Sequence, residues 1–228
     1  MLKAVCLTCS LISLAALPLL AEEKSSSAKF EGEIQAYEAA DKTAPPPEGG
    51  VLFAGASGIR MWKTLAQDFP NQKVFNRGFG GSQIADVIHF ADRIVLPYKP
   101  RVIVFQAGGN DINAGKTPEQ VAADFKTFVA KVRAKLPDTR IIFLSLQPSP
   151  ARWSQVDQQK QANALIEKQI AASQNMAYIN AFDAFLTADG KPREELFVAD
   201  KLHHNEAGYK VRVQLVRPFL EKAVASPK

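Results

Sequence analysis

Cysteine is almost absent from this 228-residue chain: Cys6 and Cys9 are the only two, both near the start. If the segment that carries them is removed, what remains has no disulfide, no thiolate nucleophile and no Cys-ligated metal. Glycine (13) and proline (14) are too few for a collagen-like or low-complexity chain. Aromatic residues make up 9% and do not interleave with a dense basic run, so the net charge of +5 does not call for a nucleic-acid partner. With 46% hydrophobic and 22% charged residues, most of the chain has the apolar area to offset its ordering entropy, which excludes general disorder.

One long apolar run exists, from Ala4 to Leu20, interrupted by Thr8, Ser10, Ser13 and the cysteine pair. Lys3 precedes it, Pro18 lies near its end, and Ala21 stands before Glu22-Glu23. This is the layout of a secretory signal peptide over residues 1–21, cut after Ala21, and it implies a secreted or periplasmic protein. The run of ~17 residues is at the lower limit for spanning a bilayer, so a retained membrane anchor is the alternative reading; after cleavage no stable membrane insertion is expected. Residues 22–48 form a polar extension. Within it Phe30, Ile34 and Tyr37 recur at helical spacing, predicting a short amphipathic helix that ends before Pro45-Pro46-Pro47.

Beyond residue 48 the pattern alternates. Short apolar or β-branched runs occur at Val51 to Phe53, Lys73 to Phe75, Val102 to Phe105, Ile141 to Leu146 and Tyr178 to Ile179. Helical patterns separate them: Ile59 to Phe69, Ile84 to Leu96, Val121 to Leu136 and Ala162 to Ala172, with a last helix from about Asn205 to Leu220. Thr117-Pro118 is a cap followed by proline, and Pro97 and Pro137 are stops. Strands alternating with helices predict one α/β domain over residues 49–228, a three-layer sandwich around a parallel sheet. In such sheets ligands bind outside the carboxyl ends of the strands, so the residues that follow each strand matter most.

Those residues are Gly55-Ala56-Ser57-Gly58, Gly78-Phe79-Gly80-Gly81-Ser82, Gly108-Gly109-Asn110-Asp111 and Asp200-Lys201-Leu202-His203. Ser57 sits at a strand-to-helix turn, where a hydroxyl projects and negative charge is favoured, although an N-cap serine is the simpler reading. The glycine run lets backbone N–H groups face an anion, or is merely a flexible turn. Asn110 offers an amide, or simply forms a turn. A carboxylate three residues before a histidine orients the imidazole, and also resembles a partial metal site.

Taken together, in this order, the four blocks resemble those of the SGNH hydrolases, the GDSL-type esterases and lipases, over residues 51–209. The resemblance implies a flavodoxin-like α/β/α sandwich and a serine-dependent carboxylic ester hydrolase without metal or cofactor. Ser57 is then the nucleophile, His203 the base and Asp200 its orienting carboxylate, with an oxyanion hole from the N–H groups of Ser57 and Gly81 and the amide of Asn110. Gly80 is the alternative donor. Ala56 stands where many members carry an aspartate that supports neighbouring loops. Ile59-Arg60-Met61-Trp62 is similar to one subgroup.

Arg152 and Trp153 are expected as one wall of the pocket, with surface packing as the alternative. His204 is expected at the rim, His89 in a structural place, and Ser145 and Ser149 as strand-end and loop residues. The expected substrate is a small-molecule or glycan ester outside the cytoplasm, from which short acyl (acetyl) groups are removed through an acyl-enzyme. The alternatives are a lysophospholipase or thioesterase of the same family, a non-catalytic ligand-binding relative, and a metal hydrolase built on Asp200, His203 and His204.

Overall fold

The computed structural model describes residues 27–225; the leader expected over residues 1–21, with both cysteines, lies outside them. Strands β1 (Val51–Gly55), β2 (Val74–Gly78), β3 (Val102–Gln106), β4 (Arg140–Leu144) and β5 (Met176–Ile179) pair in parallel in the order β2-β1-β3-β4-β5. Side chains alternate across the sheet, as a two-residue period requires. Leu52, Ala54, Ile103, Phe105, Ile141 and Phe143 enter one core, and Val51, Phe53, Val102, Val104, Ile142 and Leu144 enter the other.

Helices cover both faces. The first core is closed by α1 (Glu31–Thr43), α2 (Ile84–Ile94), α3 (Pro118–Lys135) and α4 (Val156–Ala171), through Ile34, Phe90, Phe125 and Ile166. The second is closed by α5 (Glu206–Ala225), through Val216 and Leu220, and by Ile59, Trp62 and Leu65. The three-layer sandwich expected from the sequence is therefore present. Among the described residues, no helix is long and apolar enough to cross a membrane.

Local chemistry sets the helix ends. Thr117 accepts the Gln120 backbone N–H while the Gln120 side chain accepts that of Thr117, and Pro118 occupies the first turn. The helix thus begins before the expected Val121. Gln83 and Asp86 form the equivalent box on α2, and Asp86 also accepts from the Ser27 hydroxyl at 2.6 Å. Arg93 on α2 pairs with Glu31 and Glu38, fastening the N-terminal helix to the domain.

Two expectations need correction. The helix expected over Ile59 to Phe69 is two single turns, Ser57–Arg60 and Leu65–Asp68. The Ile59 carbonyl takes the Trp62 N–H at 3.0 Å, a three-residue turn, and Asn76 Nδ2 at 2.6 Å, so the helix does not continue from it. Trp62 then turns into the core and donates to Asp68 Oδ2 at 2.7 Å. The fourth strand stops at Leu144 instead of Leu146, because the Asn163 side chain takes both backbone groups of Leu146, at 2.9 and 3.0 Å.

The strand order reverses between β1 and β3, which opens a crevice at their carboxyl ends. There the two backbones nearly touch. Ala56 N–H donates to the Gln106 carbonyl at 3.0 Å, and Gly55 adopts φ +138°. A Cβ on Gly55 would lie 2.0 Å from that carbonyl oxygen. Gly55→Ala should therefore lower unfolding stability by at least about 3 kcal/mol. Urea denaturation measures this, and an unchanged midpoint would contradict the close approach.

Candidate active site

Ser57 follows the extended residue Ala56 and opens its single turn directly beyond β1. Its hydroxyl lies 2.9 Å from His203 Nε2, and His203 Nδ1 lies 2.6 Å from Asp200 Oδ2. The other Asp200 oxygen accepts the backbone N–H groups of Leu202 and His203, each at 2.9 Å. This turn passes through Lys201 at φ 55°, a left-handed position that side chains seldom adopt. The His203 ring, its backbone N–H and that of Leu202 pull the Asp200 carboxyl down to about 2, against a small opposing effect of burial. An ionised carboxylate there keeps the proton on Nδ1 and leaves the Nε2 lone pair towards the serine.

The glycine turn lies beside this row. Among the described residues the backbone N–H groups of Ser57, Gly80 and Gly81 have no acceptor. Gly81 is exposed with φ +78°, whereas Gly80 is half-buried. Asn110, in the single turn Gly109–Asn113 after β3, donates through Nδ2 to the Ser82 carbonyl at 2.9 Å. Its neighbour Asp111 is fully buried and accepts the Ile84 N–H at the start of α2, at 3.2 Å to each oxygen. Lys116 Nζ stands 3.1 Å from Asp111 and 2.7 Å from Asp124. Burial raises the Asp111 carboxyl above its usual range while Lys116 and the Ile84 N–H oppose that rise. The turn-forming residue of the sequence is in fact the brace that ties the Asn110 loop to the glycine loop.

A cleft opens beside Ser57, lined among others by Gln106, Asn110, Gln147, Arg152, Gln159 and Arg212. Arg152 reaches it; Trp153, expected alongside, is half-buried and stands outside its lining. The two are adjacent in a 3-10 segment, so their side chains diverge. His204 is also corrected: it is 7% exposed, not at the rim. Its ring centroid lies 4.5 Å from that of Phe185 and 4.9 Å from that of Phe197. Burial, and then the charge of Arg212, push its pKa far down, so His204 stays neutral. His89 is exposed on α2 against Phe90, and Ser145 accepts the Ala181 N–H at 2.9 Å. Ser149 is buried in the cleft wall. Among the described residues, no three His, Cys, Asp or Glu side chains are grouped to hold a metal ion.

Sequence reasoning missed Arg212. It is 2% exposed and donates to Gln147 Oε1 at 3.1 and 2.7 Å and to the Gly58 carbonyl at 2.8 Å. Burial lowers it to about 10, which leaves it cationic at neutral pH. A signal existed: Tyr209, Arg212, Val216 and Leu220 lie on one helical stripe, the stripe that faces the core.

A doubly wound sheet carrying this row at its switch point is the architecture of the SGNH hydrolases. The chain belongs to the GDSL-like lipase/acylhydrolase family, whose profile matches residues 47–211. It is 27% identical over 183 residues to the human platelet-activating factor acetylhydrolase IB subunit alpha1, covering 75% of this chain and 74% of that one. Its fold is similar to a GDSL-like lipase from Bacteroides thetaiotaomicron, with TM-score 0.71, 20% identity and coverage of 83% and 98% of the two chains. It is also similar to a catalytic mutant of an acetylxylan esterase from Geobacillus stearothermophilus, with TM-score 0.59, 16% identity and coverage of 78% and 95%.

The Asp200 shift has a testable sign. Its folded pKa lies below the usual 3.8, so the turn it caps is held fully above that value and released as pH falls through about 2. Carboxyl 13C NMR should place the Asp200 midpoint near 2. A midpoint at or above 3.8 would refute the hydrogen-bonded geometry.

Proposed function

We propose that this hydrolase is a serine-dependent carboxylic ester hydrolase that removes short acyl groups, acetyl above all, from an extracytoplasmic substrate such as a glycan. The observation that carries this reading is the continuous row from Ser57 Oγ through the His203 ring to the Asp200 carboxylate. Ser57 attacks the ester carbonyl while His203 Nε2 takes its proton; the tetrahedral intermediate collapses as His203 returns that proton to the leaving alcohol. Water then attacks the acyl-enzyme by the same route, with His203 again as base. Asp200 holds the ring in its tautomer and opposes the charge that develops on it. The oxyanion is received by the N–H groups of Ser57 and Gly81 and by the Asn110 amide.

The cleft walls are mixed: Gln106, Gln147, Gln159 and Ser149 bring polar groups to them, beside the apolar Ala107, Leu146, Pro148, Phe197 and Leu202. The relative named an acetylhydrolase and the fold neighbour named an acetylxylan esterase agree with a two-carbon acyl group. The location rests on the N-terminal apolar run of the sequence.

A p-nitrophenyl ester series of increasing chain length tests this directly. Acetate should be the best substrate, and Ser57→Ala should lower kcat/KM by roughly 10³-fold or more. A chelator should leave the rate unchanged. A preference for octanoate or longer would overturn the short-acyl assignment, and full activity in Ser57→Ala would overturn the nucleophile.

A further inference from the structure

Arg152 lies in the 3-10 segment Pro150–Gln155 between β4 and α4, where its own backbone leaves helical geometry at φ −122° and ψ 25°. Three hydrogen bonds tie the segment down. Arg152 N–H donates to Ser149 O at 3.1 Å, Ala151 N–H to Lys201 O at 3.0 Å, and Gln155 Nε2 to Asn113 Oδ1 at 2.9 Å. The segment is thus fastened to the His203 turn on one side and to the Asn110 turn on the other.

From this fixed base Arg152 Nη2 donates to Asn110 Oδ1 at 2.9 Å. Asn110 Nδ2 meanwhile donates one hydrogen to the Ser82 carbonyl. A planar carboxamide held at its oxygen and at one N–H cannot flip, because a guanidinium only donates and a carbonyl only accepts. One Nδ2–H remains, with a fixed direction.

The guanidinium is half-buried, and burial alone draws it below its ordinary range, with no carboxylate partner among the described residues. Its desolvation is therefore not offset by an ion pair. Its one side-chain hydrogen bond goes to the group expected to receive the oxyanion. We propose that Arg152 is a positioning residue for Asn110: it locks the amide so that the free Nδ2–H faces the developing oxyanion, and its charge polarises the amide into a stronger donor. This differs from the pocket-wall role expected from the sequence, and it rests on the esterase reading. Arg152 acts through Asn110, so its contribution appears in the transition state and not in substrate binding.

The test is a double-mutant cycle on p-nitrophenyl acetate. Arg152→Met should lower kcat roughly ten- to hundredfold with KM within about twofold. Arg152→Lys, which can still donate to Oδ1, should recover much of that loss. In an Asn110→Ala background, Arg152→Met should cost no more than about twofold further. A loss carried mainly in KM, or an equal loss in both backgrounds, would overturn the proposal. A second readout needs no activity at all: the side-chain amide 15N–1H pair of Asn110, recorded in Ser57→Ala protein. It should shift and exchange faster with solvent in Arg152→Met and stay near its place in Arg152→Lys. Amide signals indifferent to Arg152→Met would overturn the clamp, whereas an inactive wild type with responsive signals would sink only the esterase reading.

Discussion

The close approach of two backbones at the carboxyl ends of β1 and β3 is the constraint on which the site depends. Gly55 and Gln106 come together so tightly that no Cβ fits between them. The contact has two effects. It carries the β1–β3 pairing one residue past β1, through the Ala56 N–H, so Ser57 emerges at a fixed height above the sheet. It also sets the start of the Asn110 loop against the serine turn. Phe79 N–H bonds back to the Gly55 carbonyl at 3.0 Å, bringing the glycine turn into the same register. Three of the four blocks thus converge through main-chain atoms, held by backbone hydrogen bonds and by the missing Cβ at Gly55.

Around this seam the charges are arranged asymmetrically. On the cleft side stand Arg152 and Arg212, satisfied by amides and carbonyls and not by carboxylates. The carboxylates near the site are set behind it. Asp200 sits behind the imidazole, and Asp111 braces α2 with Lys116 as its counter-charge. A reacting carbonyl that gains negative charge would meet donors and cations in front, with the acids shielded by the groups they orient. His204, neutral among aromatic rings, adds bulk beside His203 without adding charge.

Much of this was readable in the sequence. The sheet was, because its strands are short apolar runs separated by helical spacing, and burial on both faces follows from such runs. The four blocks were local, each a few residues after a strand or before a helix. What escaped notice depended on partners far along the chain. The Ile59 helix ends where Asn76, seventeen residues on, joins Trp62 N–H on its carbonyl. Leu144 ends β4 because Asn163 on α4 supplies the next hydrogen bonds. His204 and Trp153 were placed by adjacency to a site residue. Adjacency fixes neither side chain, because the antiparallel bridge of Phe197 to His204 and the bend at Arg152 send them elsewhere.

The hydrogen bond from Ala151 to Lys201 has a mechanical consequence. It joins the segment that follows β4 to the turn that carries His203, so the two lips of the mouth on that side are coupled through the main chain. An outward shift of the Arg152 segment that kept this bond would pull on the turn that sets the His203 imidazole against the Ser57 hydroxyl. On that flank, a wider mouth and a close imidazole–hydroxyl contact oppose one another.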